Sequence, residues 1–233
     1  MALNQIRSER NIDIVMCIDA TSSMGPCIEN VRKNAKKLYT DFIYKMQNDY
    51  NSEIAGLRIQ IIVFRDLECD ENGIEKSPFF ELPGDDMAFE RFLNSIQPRG
   101  GGDYKESGLE ALYSAITTKW DARGMSDRQV IVLFTDSDAI DFTEKRNRPG
   151  YPNLVDETGF ITAWMCASGN SNRLQERNKR LVMFAPANTV YDKKIQKICN
   201  RSQLSIVAPL KGMSDIDIDT IIKLLCASAS ASS

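Results

Sequence analysis

The chain of 233 residues contains no histidine. Without imidazole there is no Ser-His-Asp or Cys-His nucleophile pair, no H-E-x-x-H zinc site and no histidine proton shuttle. Cysteine is sparse and scattered: Cys17, Cys27, Cys69, Cys166, Cys199 and Cys226 form no C-x-x-C pair and show no zinc spacing. Several lie inside apolar runs, which reads as buried free thiols in a reducing compartment rather than as disulfides. A basic stripe is also missing. Lys and Arg number 29 against 32 Asp and Glu, a net charge of −3, and the densest cationic stretches, 144–148 and 173–180, read as solvated faces. Binding nucleic acid calls for such a stripe, so no nucleic-acid partner is expected. The first ten residues lack an apolar leader core and no later run approaches the length of a membrane span. The expected location is the cytoplasm, with no membrane partner.

What is present is ordinary globular composition, 42% apolar and 26% charged. The length suits one α/β domain, taken as residues 1–226, with the Ala/Ser-only stretch 227–233 a disordered tail. Short, nearly continuous apolar runs rich in β-branched residues recur at 12–18, 57–64, 130–134, 181–184 and 204–207. Strands buried on both faces read this way. A weaker strand at 78–82 would pair with 57–65 across the acidic loop 66–73. Helix-period stretches fall between the runs, at 24–46, 87–96, 104–120, 158–167, 191–199 and 216–226, and Trp120 and Trp164 take core-facing positions in them. This alternation predicts a doubly wound, mostly parallel six-stranded sheet with helices on both faces. The segment 137–156, with Pro149, Gly150 and Pro152, reads as irregular.

Asp19-Ala20-Thr21-Ser22-Ser23 closes the first apolar run. A carboxylate and two hydroxyls at alternate positions of an extended turn point the same way, so Asp19, Thr21 and Ser23 can converge on one hard cation. Asp136 ends the run from Val130, and Asp103 follows Gly100-Gly101-Gly102 at the start of a helix. In a doubly wound sheet these segments meet at the carboxyl edge, where ligands bind at the topological switch point. Asp19, Thr21, Ser23, Asp103 and Asp136 make an all-oxygen set, which suits Mg²⁺ or Mn²⁺ better than zinc, and Ca²⁺ also fits by ligand type. The plainer alternatives are helix caps: Ser22 or Ser23 for the helix near Met24, and Asp103 with Glu106 for the next. An EF-hand in the acidic loop fails, because Phe79 stands where the bidentate Glu belongs.

Three segments carry a resemblance. Asp19-Ala-Thr-Ser-Ser-Met-Gly is similar to the D-x-S-x-S metal-ion-dependent adhesion site of von Willebrand factor type A domains, with Thr21 for the commoner serine. Gly101-Gly102-Asp103 resembles the family's second loop, where threonine is the usual ligand, and Val130-Ile-Val-Leu-Phe-Thr-Asp136 resembles its closing T-D strand. The chain departs from the pattern at Ser137-Asp138, where the family has glycine, and Asp103 adds a negative charge. Intracellular bacterial members like the TerY group are similar in style, and occur alongside a kinase and a PP2C-type phosphatase or in stress and tellurite-resistance clusters. The resemblance implies a Rossmann-like von Willebrand type A fold and a non-enzymatic, metal-dependent interaction module in a cytoplasmic signalling or stress assembly. It would bind a protein with an acidic group, such as a Ser/Thr kinase, a PP2C-type phosphatase or an AAA+ ATPase. Two alternatives are a Mg²⁺-dependent phosphohydrolase or phosphotransferase using Asp19 and a subunit that recruits substrates to an AAA+ ATPase.

Overall fold

A computed structural model describes residues 8–70, 72–101, 105–120, 128–145, 151, 154–165, 174–199, 204–208 and 217–231. The parallel core consists of β1 (Ser8–Asp19), β2 (Ser52–Phe64), β6 (Arg128–Phe134), β8 (Lys179–Phe184) and β9 (Leu204–Val207). β3 (Ile74–Lys76) and β4 (Phe80–Leu82) both lie antiparallel along β2. The sheet order is β3-β2-β1-β6-β8-β9, with β4 also on β2. Among the described residues the main sheet therefore has seven strands where the sequence pattern suggests six. Ser77 joins the two edge pieces, since its N–H donates to Ile61 O and its hydroxyl accepts from Ile61 N–H, both at 2.9 Å.

Alternation along β1 separates two cores, as a period of two requires. Ile12, Ile14, Met16 and Ile18 face α1 (Gly25–Lys33), α2 (Ala35–Asn48), α3 (Asp86–Ser95) and α8 (Ile218–Ser230). Val15 and Cys17 face α4 (Gly108–Ile116), α6 (Glu157–Met165) and a π-helical turn, Tyr191–Ile195, that runs into α7 (Gln196–Ile198). Trp120 and Trp164 lie buried in this second core. From β1 the chain first adds β2 on one side and later β6 on the other, so the switch point lies between the carboxyl ends of β1 and β6.

Several expectations are corrected. The helix at 24–46 is a 3-10 turn, Ser22–Met24, followed by α1 and α2, which break at Asn34. The Asn34 amide donates to Asn30 O at 2.9 Å, a side-chain bond that competes with regular helix. The segment 137–156 is not wholly irregular. β7 (Asp138–Ala139) pairs with β5 (Lys105–Glu106), and α5 (Phe142–Lys145) follows, anchored by buried Ala139, Ile140 and Phe142.

The last helix continues to Ser230 rather than giving way to a tail at 227. Alanine is a strong helix former, and Ser228 and Ala229 are buried. Guanidiniums also hold the helix end: Arg10 donates to Ala229 O at 3.4 Å, and Arg128 and Arg180 donate to Ala231 O at 3.0 and 3.2 Å. Cations there satisfy orphan carbonyls and complement the helix dipole.

Cys17, Cys27, Cys199 and Cys226 are buried free thiols, Cys69 is exposed, and Cys166 lies outside the described residues. Among the described residues no helix is long and apolar enough to cross a membrane.

Candidate functional site

β1 delivers Asp19 to the carboxyl edge and β6 delivers Thr135 and Asp136 beside it. Asp19 is fully buried. Its Oδ1 accepts from Thr21 N–H at 2.9 Å and from the Thr21 hydroxyl at 2.7 Å, and its Oδ2 accepts from the Thr135 hydroxyl at 2.7 Å. The Thr21 and Ser23 hydroxyls stand 3.3 Å apart, and Ser23 donates to Asp136 Oδ1 at 3.1 Å. Four of the expected ligands, Asp19, Thr21, Ser23 and Asp136, thus lie along one line of oxygens running from the interior to the surface. Asp103 lies outside the described residues.

These oxygen separations, 2.7 to 3.3 Å, are those of hydrogen bonds, and they are also close enough for the oxygens to share one Mg²⁺, whose ligand oxygens stand roughly 2.9 Å apart for bonds near 2.05 Å. The donor set fits a small hard cation. Among the described residues no three Asp, Glu, Cys or His side chains converge at metal-binding distance, so ligation here would depend on the hydroxyls. Burial pushes the Asp19 carboxyl up to about 6, with the Asp136 charge adding to it and the bonds from Thr21 and Thr135 opposing it. A buried carboxylate displaced in this way gains from a nearby cation.

The cluster borders an open depression of about 450 Å³ lined by Thr21, Ser22, Ser23, Gly101, Glu106 and Asp136, among others. Two residues here escaped the sequence reading. Thr135 bridges Asp19 to the Ser137 backbone, and its only signal is its place beside Asp136. Glu106 is buried at the depression wall, where the sequence suggested a cap. Asp138 acts as a brace: its Oδ1 accepts from Ala139 N–H at 2.8 Å and Val190 N–H at 2.7 Å, tying the loop after β6 to the loop after β8.

Gly100 shapes the rim. Its φ is +78°, and a Cβ there would lie 2.4 Å from Asp70 Oδ1, while its carbonyl accepts from the Ser22 hydroxyl at 3.1 Å. Gly100→Ala is expected to cost about 1–3 kcal/mol in urea unfolding. Gly25→Ala is the control, since its new methyl meets nothing closer than 3.8 Å in an α-helix.

No family model matches the sequence, and no curated protein matches it. Solved structures do. A pilus adhesin, SpaC from Lactobacillus rhamnosus GG, aligns at 12% identity and TM-score 0.52 over 97% of this chain and 31% of its own. Proximal thread matrix protein 1 from the mussel byssus aligns at 12% identity and TM-score 0.50 over 93% of this chain and 46% of its own. The likeness is one of fold. A von Willebrand factor type A structure from Catenulispora acidiphila aligns at 13% identity and TM-score 0.49, over 96% of this chain and 43% of its own. The chain spans less than half the length of each of these proteins.

Proposed function

We propose that the protein is a metal-dependent protein-interaction module of the von Willebrand type A kind. Asp19, Thr21, Ser23 and Asp136, with Asp103 as a fifth ligand, would hold Mg²⁺, with Mn²⁺ or Ca²⁺ as substitutes. The observation that carries this reading is the gathering of Asp19, Thr21, Ser23 and Asp136 at the switch point, their oxygens in one continuous line. When bound, the cation supplies a point of charge at the surface, to which a partner carboxylate adds a charge-assisted contact. Ser23 is exposed and Asp136 half-buried, so this end faces the partner, while Thr21 and Thr135 fix the buried Asp19 carboxylate. Asp19 suits the role of a ligand rather than a nucleophile, because it lies at the buried end of the oxygen line, behind Thr21 and Ser23, where a small cation enters the cluster but a bulky substrate does not reach. We therefore read the chain as non-catalytic. Its setting would be a cytoplasmic signalling or stress assembly of a TerY-like bacterial kind, with a Ser/Thr kinase, a PP2C-type phosphatase or an AAA+ ATPase as partner.

Mg²⁺ at ten times its dissociation constant is expected to add ~1.4 kcal/mol, a rise of about 3–6 °C in the thermal midpoint over EDTA. Asp136→Ala should abolish that rise. No shift with Mg²⁺, Mn²⁺ or Ca²⁺, together with no calorimetric heat of binding, would overturn the reading.

A further inference from the structure

We propose that the groove between α6 and the π-turn–α7 segment receives an acidic, aliphatic segment of a partner protein. α6 buries Phe160 and Trp164 on one side yet leaves Ile161 and Met165 36% and 59% exposed. Ile161 and Met165 follow Phe160 and Trp164 by one residue, about 100° round the helix, so the apolar stripe of α6 extends beyond its buried part to the surface. Across from Ile161 and Met165 stand Lys193, Lys194, Lys197 and Ile198, with Glu157 on the wall, around a groove of about 400 Å³. It shares no lining residue with the oxygen cluster.

Charge selects the occupant. Lys194 is engaged by Asp141 at 2.6 Å and stands 4.0 Å from Glu157, so it braces the groove wall. Lys193, whose ammonium also donates to the Asn188 carbonyl, and Lys197 are exposed, and their spacing of four residues puts two cations about one helical turn apart on the rim. Residues 192–197 carry three lysines against one aspartate, and with Lys194 engaged by Asp141 the rim presents Lys193 and Lys197. Carboxylates flanking aliphatic anchors complement such a rim. Concavity favours a peptide over a bilayer, because membrane docking uses projecting apolar side chains.

Selection of a phage-displayed random dodecapeptide library on the whole protein is expected to enrich aspartate and glutamate around aliphatic anchors. Synthetic copies of the enriched peptides should bind wild type and weaken at least about tenfold against Met165→Glu and against Lys193→Glu/Lys197→Glu. All three positions are exposed, and circular dichroism checks that the variants fold. Binding should persist in EDTA and in Asp136→Ala, which separates this groove from the proposed cation site. The proposal is overturned by an absence of enrichment, by enriched peptides without acidic residues, or by binding indifferent to the groove variants. Two further results would also overturn it: a wild-type dimer in ultracentrifugation that Met165→Glu dissolves, or co-sedimentation with phosphatidylserine vesicles that the lysine changes abolish.

Discussion

Replacing Lys145 by methionine is expected to cost the fold about 3–5 kcal/mol and to lower the thermal midpoint by roughly 10 °C. The ammonium at the end of α5 donates to Glu110 on α4, and both side chains are shut away from water. Burial pushes the Glu110 carboxyl up and the Lys145 ammonium down, and the attraction between them opposes both shifts. Methionine keeps an unbranched apolar stem near the Phe142 ring, over which the Lys145 ammonium lies at 4.9 Å. The loss is therefore of countercharge more than of packing, and it strands a carboxylate in the second core. The effect reaches further, because Tyr151 packs beside Glu110 and donates to Ser107 Oγ at 2.7 Å, which accepts from Leu67 N–H at 2.9 Å. Adding Glu110→Gln removes the stranded charge, and the double variant should regain most of the stability. Urea unfolding of wild type, both single variants and the double measures the coupling. A double variant no more stable than Lys145→Met would show that the cost has another source.

Asp19→Asn is expected to stabilise the metal-free protein while removing its response to divalent cations. The folded-state pKa of Asp19, about 6, lies above its ordinary 3.8. Above pH 6 the carboxyl is ionised folded and unfolded, and the folded state carries the full burial penalty. As pH falls from 6 towards 3.8 the folded state binds the proton first, so stability rises across that window and is constant below it. The difference corresponds to about 2–3 kcal/mol. Asparagine fits the site without the charge: its Oδ1 accepts from Thr21 as before, and its amide donates to the Thr135 hydroxyl, which can turn its own donation to Ser137 O, 3.3 Å away. Thermal melts in EDTA should show wild type gaining stability between pH 7 and 4 and the variant not. With Mg²⁺ the wild-type response should fade below about pH 6 as protons compete for Asp19. A variant that is less stable than wild type in EDTA at neutral pH would refute the burial argument.

The parallel strands were legible because strands buried on both faces leave near-continuous apolar runs, as in Val130–Phe134 and Leu181–Phe184. The grouping of Asp19, Thr21 and Ser23 was legible because their geometry is local, and the place of Asp136 beside them because it directly ends such a run. β7 and α5 were not, since two- and four-residue elements have no period to read and form where tertiary contacts hold them. The continuation of α8 depends on arginines about 50 to 220 residues away in sequence, which no local pattern reveals. Thr135 and Glu106 were missed for the same kind of reason, as each is defined by what the fold sets beside it.

The grip of Arg10, Arg128 and Arg180 on the end of α8 bears on how the chain is made. Ribosomal synthesis proceeds from the amino end, so β1, β6 and β8 emerge before the helix that covers them. Until residues 218–230 follow, Val130, Val132 and Val182 lack the cover of Ile221, Ile222 and Leu225. The nascent protein therefore passes through an interval in which the part of that face over β6 and β8 is open, while α1, α2 and α3 already cover the rest, and a chaperone that shields β-branched surface has its natural moment of action there.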